Sequence, residues 1–214
     1  MTHYYTDNSN LASNKREFDY YFDNEVFRFT TDNGVFSKGN VDYGSYILIK
    51  TIYKLDLGKS LLDLGSGYGP IGIVLKRFNP NVDIEMVDVN SRATELAILN
   101  CNNNKTDIKV HLCENILELD RNFDTITLNP PIRAGKKVIY DLYDKSKEKL
   151  NDNGHLYIVI RKAQGALSSI SKLETLFNSV KIINKDSGYY IIDCTNWKYT
   201  TLIIWKDGAH ETNL

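Results

Sequence analysis

Asp63 begins a run of glycines at alternate positions in the stretch 61–70, which reads LLDLGSGYGP. The apolar residues before the acid, and the amphipathic segment 71–78 after the glycines, predict a buried strand, a tight turn and a helix. Glycines let such a turn bend sharply and let a ligand approach bare backbone. The first N–H groups of the helix then point at that ligand. The stretch therefore predicts a nucleotide-type binding site.

Two ligands fit this turn. Gly67, Gly69 and Gly72 have the spacing of the dinucleotide fingerprint, and Asp88 follows at the distance of roughly 20 residues that this fingerprint expects. The acid before the turn argues otherwise, because the carboxylate of Asp63 would repel a pyrophosphate. S-adenosylmethionine carries a sulfonium, an amine and a carboxylate, and no phosphate. Asp63 thus favours this methyl donor, and an NAD-binding oxidoreductase remains the alternative.

Asn129 ends another predicted strand, 124–129, and Pro130 and Pro131 follow it. The two prolines stiffen the loop and donate no backbone hydrogen bonds. The amide oxygen of Asn129 and the carbonyl of Pro130 can together accept both hydrogens of a planar exocyclic amine. That contact aims the nitrogen lone pair at a methyl carbon, so positioning and directed dipoles suffice without a general base. These three residues are the predicted catalytic group.

The elements that must position these residues form an alternating pattern. Aromatic alternation around Asp23 and Asn24 predicts a β-hairpin, and Asp42 is a predicted helix N-cap. Further strands are predicted at 83–88, 108–114, 155–160, 180–183 and 189–194. Helices are predicted at 91–100, 138–150 and 168–177. Ser91 is the predicted cap of the first of these helices, and Asn153 and Gly154 are the predicted stop signal of the second. This order predicts an α/β fold with a mostly parallel sheet, helices on both faces and one antiparallel strand.

Ligands of such sheets lie outside the carboxyl ends of the strands. Asp88 ends the second strand of the domain and can accept both hydroxyls of a ribose. Asn115, with Glu114 before it, ends the third, where it can bond an adenine edge or simply form a turn. The glycine-rich loop that begins at Gly34, before the first strand of the domain, can close over the ligand. Alternatively, it only connects the hairpin to the following helix and supplies the cap of that helix.

Composition limits the function classes. The chain has 214 residues, a net charge of −1, 42% hydrophobic and 25% charged residues, which is typical of a globular protein without a global basic field. Three cysteines without a CxxC pair indicate thiols in a reducing compartment. Four scattered histidines predict no metal site. The polar N-terminus and the lack of a membrane-spanning apolar run predict a cytoplasmic protein.

The motifs together resemble class I S-adenosylmethionine-dependent methyltransferases that modify exocyclic or amide nitrogens. The chain is more closely similar to the methyltransferase small domain family, the ribosomal RNA guanine-N2 methyltransferases of RsmC type. The resemblance covers residues 1–195 and is carried by the segments 34–38, 42–45, 62–72, 87–90, 129–137, 164–165, 172–177 and 188–191.

The resemblance implies a Rossmann-like methyltransferase fold with a seven-stranded sheet, and S-adenosylmethionine as cofactor. The expected donor-binding residues are Phe36, Asp42, Gly44, Ser45, Asp63, Gly65, Ser66, Gly67, Tyr68, Gly69, Asp88, Val89, Asn90, Asn115 and Asn129. The expected substrate-binding residues are Ile132, Arg133 and Lys136. The implied partner is ribosomal RNA or a ribosomal subunit, with a guanine N2 amine of the small-subunit (16S) RNA as target.

Two features leave alternatives open. Position 132 is usually aromatic in amino-methyltransferases and stacks on the base, so Ile132 means that another aromatic helps or that the substrate is not a flipped base. A protein glutamine amide or a small molecule is the alternative substrate, and a catalytically inactive binding module a further reading. Arg133, Lys136, Lys137, Arg161 and Lys162 can bind RNA phosphates or form a solvated face.

The chain is expected to divide into an N-terminal tail and hairpin at 1–33, the methyltransferase domain at 34–195 and a C-terminal extension at 196–214. The extension contains an apolar run at 202–205 that suits an added edge strand or a contact with a partner subunit. The sequence leaves the oligomeric state open.

Overall fold

The computed structural model describes residues 12–37 and 39–196. The strands are β1 Arg16–Phe22, β2 Glu25–Thr31, β3 Ser60–Leu64, β4 Asp83–Asp88, β5 Lys109–Leu112, β6 Phe123–Leu128, β7 Leu150–Arg161, β8 Ser179–Asp186 and β9 Tyr189–Thr195. The helices are α1 Tyr43–Ile52, α2 Pro70–Phe78, α3 Ser91–Asn103, α4 Lys136–Lys149 and α5 Ala166–Glu174. The predicted C-terminal extension lies outside the described residues, apart from Asn196.

Seven strands form one sheet in the order β5-β4-β3-β6-β7-β9-β8. The pairs from β5 to β7 are parallel, and β9 runs antiparallel to both of its neighbours. The strand order reverses between β3 and β6, which creates a crevice at their carboxyl ends where ligands bind in open α/β sheets. The predicted Rossmann-like sheet with one antiparallel strand is confirmed.

Alternate residues of the central strands enter two separate cores. Leu61 of β3 belongs to the core that includes residues of α1, α2 and α3, whereas Leu62 and Leu64 belong to the core that includes residues of α4 and α5. All five residues of β3 are buried, as expected of a central strand covered on both faces. Two helical layers thus fix the crevice between β3 and β6 from both sides.

The predicted hairpin is confirmed, and it is docked on α3. Its turn places Asp23 and Asn24 at φ 45° and 66°, the left-handed pair of a two-residue hairpin turn. The side chain of Asn104 accepts a hydrogen bond from Arg28 N and donates one to Arg28 O. The side chain of Asn100 likewise accepts from Thr30 N and donates to Thr30 O. The two side-chain amides pair with the edge of β2 much as another strand would.

Two predicted element boundaries are wrong. Asn90, not Ser91, caps α3, because its backbone is extended and its Oδ1 accepts from Ala93 N, so Ser91 is the first helical residue. Helix α4 ends at Lys149 and β7 follows directly at Leu150, whereas Asn153 and Gly154 lie inside the irregular start of β7, where its register with β6 shifts. Asn153 takes a φ of 63° there, so the turn signal marks a distortion of the strand.

Among residues 12–37 and 39–196, no helix combines the length and the apolar character that crossing a membrane requires.

Candidate active site

The glycine turn between β3 and α2 continues the pairing with β4. The N–H groups of Gly65 and Ser66 both donate to the carbonyl of Val87, at 2.9 and 3.0 Å. Gly65, Gly67 and Gly69 take φ values of 70°, 58° and 93°, a region that glycine enters without steric cost. The sequence forms a tight turn here because every second residue can adopt this conformation.

The glycines divide into two kinds by what surrounds them. A Cβ added at Gly65 or Gly67 would meet no atom within 4 Å, so both positions face open space. A Cβ at Gly69 would lie 3.2 Å from the Cε of Met86, and one at Gly72 only 2.7 Å from its sulfur. Gly65 and Gly67 therefore leave room for a ligand, whereas Gly69 and Gly72 let α2 pack against β4.

The carboxylate of Asp88 is oriented by backbone groups at the end of β4. Its Oδ2 accepts from Gly67 N at 2.8 Å and its Oδ1 from Asn90 N at 2.9 Å. Burial raises the pKa of this carboxyl, although hydrogen bonds from Asn90, Gly67 and Val89 oppose that shift. The remaining lone pairs of such a carboxylate can accept hydroxyl groups, as the sequence predicts for a ribose.

Asp63 lies behind the glycine turn, with 1% of its surface exposed. Its oxygens accept hydrogen bonds from Gly72 N at 3.0 Å and from Thr127 Oγ1 at 2.9 Å. Burial raises the pKa of Asp63 to about 7, against the lowering effect of these two bonds. Asp63 therefore joins the start of α2 to β6 from behind the turn, and its expected contact with the donor stays a prediction.

Asn129 follows β6 on the other side of the crevice. Its Nδ2 donates to Asp42 Oδ1 at 3.2 Å and to Ser45 Oγ at 3.1 Å. The same oxygen of Asp42 caps α1 by accepting from Ser45 N, which confirms the predicted N-cap. Since both amide hydrogens face α1, the amide oxygen of Asn129 is turned away from these partners, and it accepts no hydrogen bond from a described residue.

A cavity of about 680 Å³ joins the two sides of the crevice, within the usual size range of small-molecule sites. The predicted site residues that line it are Phe36, Asp42, Ser45, Gly65, Ser66, Gly67, Tyr68, Asp88, Val89, Asn129, Pro130, Pro131, Ile132 and Arg133. The structure thus brings the predicted donor turn and the predicted catalytic loop to one cavity.

Six predicted site residues do not line this cavity: Gly44, Asp63, Gly69, Asn90, Asn115 and Lys136. Asn90 is fully buried and caps α3. The side chain of Asn115 caps the short turn Ile116–Glu118 by accepting from Leu117 N. The Oδ1 atom of each amide thus accepts from a backbone N–H two or three residues further on, and the expected contacts of both residues with the donor stay predictions. Gly44 lies beside Asn129, and a Cβ there would come within 3.5 Å of Asn129 Nδ2.

Several lining residues were not among the predicted site residues. Cys113 and Glu114 follow β5, and the strand-end rule had already marked Glu114. Lys145 of α4, Gln164 after β7 and Tyr189 of β9 also line the cavity. Gln164 and Tyr189 lie in segments that carry the resemblance to the family, whereas no local motif marks Lys145, which only the packing of α4 brings to the crevice.

The turn has the features that a bound nucleoside needs. Gly65 and Gly67 leave a space that side chains would fill. The buried hydroxyl of Ser66 has no hydrogen-bond partner among the described residues, although Ser66 lines the cavity. Buried polar groups in proteins are nearly always satisfied, so this hydroxyl is available to a ligand. The residues present therefore fit an adenosyl donor beside Asp88.

The sequence matches the model of one protein family, the methyltransferase small domain, over residues 26–193. An uncharacterized protein of Bacillus subtilis strain 168, YbxB, is 44% identical over 193 residues, which cover 89% of this chain and 96% of that protein. Ribosomal RNA small subunit methyltransferase C of Aliivibrio fischeri is 32% identical over 67% of this chain but only 43% of its own length. This chain thus spans less than half of that relative.

Solved structures show the same fold. A T. thermophilus 16S rRNA N2 G1207 methyltransferase, solved with AdoMet and guanosine, superposes with a TM-score of 0.77 at 21% identity, over 86% of this chain and 51% of that one. A methyltransferase from Pyrococcus furiosus gives a TM-score of 0.63 at 21% identity, over 74% and 85% of the two chains. The family match favours the methyl donor over a dinucleotide at the glycine turn. The chain belongs to the methyltransferase small domain family and is an S-adenosylmethionine-dependent methyltransferase.

Proposed function

We propose that this enzyme transfers a methyl group to the exocyclic N2 amine of a guanine in small-subunit ribosomal RNA. One observation carries the proposal: the amide of Asn129 is held by Asp42 and Ser45 so that its oxygen is left to accept from a substrate. An acceptor that is fixed in advance selects a substrate that donates, such as an NH₂ group, and costs no reorganisation during reaction.

The catalytic loop does its work by holding that amine. The oxygen of Asn129 and the carbonyl of Pro130 each accept one of its hydrogens, which draws the nitrogen out of conjugation and directs its lone pair into the cavity. Pro130 and Pro131 keep the loop rigid, and Ile132 adds an apolar side. Once the amine has been alkylated, its proton leaves to solvent, so the loop needs no strong base.

The glycine turn holds the donor on the opposite side of the crevice. When bound, S-adenosylmethionine supplies a methyl group on a sulfonium, a good leaving group. Asp88 accepts hydroxyls of the adenosyl ribose, Gly65 and Gly67 leave room for the backbone to approach, and the Ser66 hydroxyl gains a partner.

The RNA part of the proposal is supported by charge near the cavity and by the relatives. Arg133 lines the cavity itself, Lys145 lines it beside its ion-pair partner Asp141, and Arg161 and Lys162 are exposed at the carboxyl end of β7. Cations placed around a presented base can bind the neighbouring phosphates. Several relatives at 31–35% identity are named as small-subunit ribosomal RNA methyltransferases. A ribosomal substrate would place the enzyme in the cytoplasm.

The test is methyl transfer resolved by product. Purified enzyme and radiolabelled S-adenosylmethionine are incubated with small ribosomal subunits, and separately with naked 16S RNA, from a strain that lacks the gene. Nucleosides and proteins are then separated and counted. We expect label in N2-methylguanosine. Label in protein would support a glutamine amide as substrate, and absence of label from every ribosomal particle would refute the ribosomal assignment.

A further inference from the structure

Tyr189 is an aromatic residue of the active-site cavity that the catalytic scheme above does not use. It is the first residue of β9 and lines the same cavity as Asn129 and Ile132. A planar base whose amine faces Asn129 needs a flat surface to fix its tilt. The two hydrogen bonds from the amine still allow the base to rotate about the line that joins the two acceptor oxygens. Ile132 offers an apolar but non-planar side, so the cavity requires another wall.

The ring of Tyr189 lies next to the amide that grips the amine. A Cβ built on Gly44 would be 3.3 Å from Tyr189 Cε1 and 3.5 Å from Asn129 Nδ2. Ring and amide therefore adjoin the same glycine, together with Asp42 Oδ1, which would lie 3.0 Å from that Cβ. Because Tyr189 and Asn129 line one cavity, a base whose amine is held by Asn129 would have this ring among the walls around it.

The surroundings of Tyr189 hold the ring in place. Tyr189 pairs in register with Arg161 of β7, whose guanidinium lies 5.8 Å from the ring centroid. The ring of Tyr43 is 5.6 Å away at an angle of 52°. The preceding turn is anchored by a 2.7 Å hydrogen bond from Lys162 N to Gly188 O. Tyr189, which lines the cavity, thus clusters with two further planar groups, one of them positively charged.

We propose that Tyr189 is the stacking surface for the target base, and that Arg161 binds a phosphate of the same nucleotide. This inference rests on the proposed function, because it assumes that the amine at Asn129 belongs to a nucleobase. Every base has a π-face that an aromatic side chain can stack on, and a guanidinium suits a phosphate. Tyr189 would then determine substrate affinity without touching the donor.

The test compares two variants at Tyr189 with one at the next position. Tyr189→Leu removes the aromatic face, whereas Tyr189→Phe keeps it. Tyr190→Leu alters the same strand on the opposite face of the sheet, where Tyr190 packs against the other core. We expect Tyr189→Leu to raise the KM for RNA about tenfold or more, with the dissociation constant for S-adenosylhomocysteine unchanged. Tyr189→Phe and Tyr190→Leu should leave the KM for RNA near that of the wild type.

A compensating substitution sharpens the test. Adding Ile132→Phe to Tyr189→Leu supplies a flat ring on the other side of the same cavity, and recovery of the KM would support stacking. An unchanged KM in Tyr189→Leu overturns the inference. So does an equal rise in Tyr190→Leu or a loss of S-adenosylhomocysteine binding in Tyr189→Leu, because both indicate a structural role.

A binding measurement separates this inference from the proposed function. Guanosine monophosphate is added to enzyme saturated with S-adenosylhomocysteine, and saturation-transfer NMR detects contact with the base protons. Signal in the wild type that is lost in Tyr189→Leu supports the stacking surface even if no RNA is methylated. Equal signal in both proteins, or none in either, overturns it, while transfer to ribosomal RNA by the wild type would leave the proposed function intact.

Discussion

Ser45 shows how a single hydroxyl can set the orientation of a catalytic amide. It is buried, and its Oγ accepts from Asn129 Nδ2 at 3.1 Å. Ser45→Ala removes that acceptor while placing a strong helix former in the first turn of α1. We expect turnover to fall by about 3- to 10-fold, the equivalent of one hydrogen bond, and thermal stability to be unchanged or higher.

The control is Thr51→Ala on the same helix. Thr51 also bonds a side chain of another element, Asn184, but outside the cavity. Steady-state kinetics of both variants, with melting curves, should show that only Ser45→Ala affects turnover. Equal turnover in the two variants would mean that Asn129 does not need this hydroxyl.

Asp63 should give the fold a pH dependence. Its pKa is about 7 in the folded chain, mainly because of burial, and near 4 in an unfolded chain. The folded state therefore holds a proton that the unfolded state releases, so this contribution to stability is complete below about pH 4 and is lost as the pH rises through about 7.

The measurement is urea unfolding of the wild type and of Asp63→Asn at several pH values. The free energy of unfolding of the wild type, relative to the variant, should fall by up to about 4 kcal/mol between pH 4 and pH 8. Asp124→Asn is a control of opposite sign, since hydrogen bonds from Asn151, Lys59 and Ser60 lower the pKa of Asp124 against the effect of burial. A flat difference for Asp63→Asn would contradict the raised pKa.

At the scale of elements, the glycines of the turn have two different roles, since some leave room for a ligand and others allow α2 to pack against β4. Gly67→Ala puts a methyl group into the cavity, at a backbone cost of about 1 kcal/mol for the positive φ. Gly72→Ala instead forces a methyl group against Met86 inside the fold, which costs about 1–3 kcal/mol of stability.

Calorimetry with S-adenosylhomocysteine should therefore show affinity falling about tenfold or more for Gly67→Ala and little changed for Gly72→Ala. Melting temperatures should show the larger loss in Gly72→Ala. Equal affinities in the two variants would indicate that the donor binds elsewhere.

The hairpin contributes to the site through α3. Asn100 and Asn104 form the same pair of hydrogen bonds with the backbone of β2, at Thr30 and Arg28. Asn100 also donates to the carbonyl of Tyr68 in the glycine turn, at 2.9 Å. Asn100→Ala leaves buried backbone groups unpaired and should destabilise the fold by about 1–3 kcal/mol, and Asn104→Ala leaves partly buried ones unpaired and should cost less.

Only Asn100→Ala should also weaken the binding of S-adenosylhomocysteine, because only Asn100 holds the turn. Asn104→Ala is the matched control, and calorimetry at a temperature where both variants are folded compares them. Retained affinity in Asn100→Ala would show that the turn keeps its shape without this bond.

For the molecule as a whole, the sequence predicts best what is determined locally. The strand, turn and helix around Gly65 follow from the glycine spacing, and the hairpin turn from Asp23 and Asn24, because each depends on neighbouring residues alone. The cap of α3 was misassigned because Asn90 and Ser91 are both good caps, and the backbone conformation decides between them.

What the sequence could not supply depends on topology. Asn129 meets Asp42 across 87 positions of the chain, and Tyr189 reaches the cavity because β9 inserts beside β7. The first contact leaves no local signal, and for the second the only sign in the sequence is that the segment 188–191 resembles the family. Asn115 illustrates the converse, since the Oδ1 of this residue at a strand end caps a short turn, one of the two roles that the sequence leaves open for it.

We propose a separation of functions within the crevice: the glycine turn after β3 binds the donor, and Asn129 after β6 holds the amine. Asn129→Ala tests it most directly, through the single-turnover rate of methyl transfer to small-subunit ribosomal RNA and the affinity for S-adenosylhomocysteine. We predict a rate about 100-fold lower with affinity within about threefold of the wild type. A rate equal to that of the wild type, or a loss of donor binding that accounts for the whole effect, would contradict the claim.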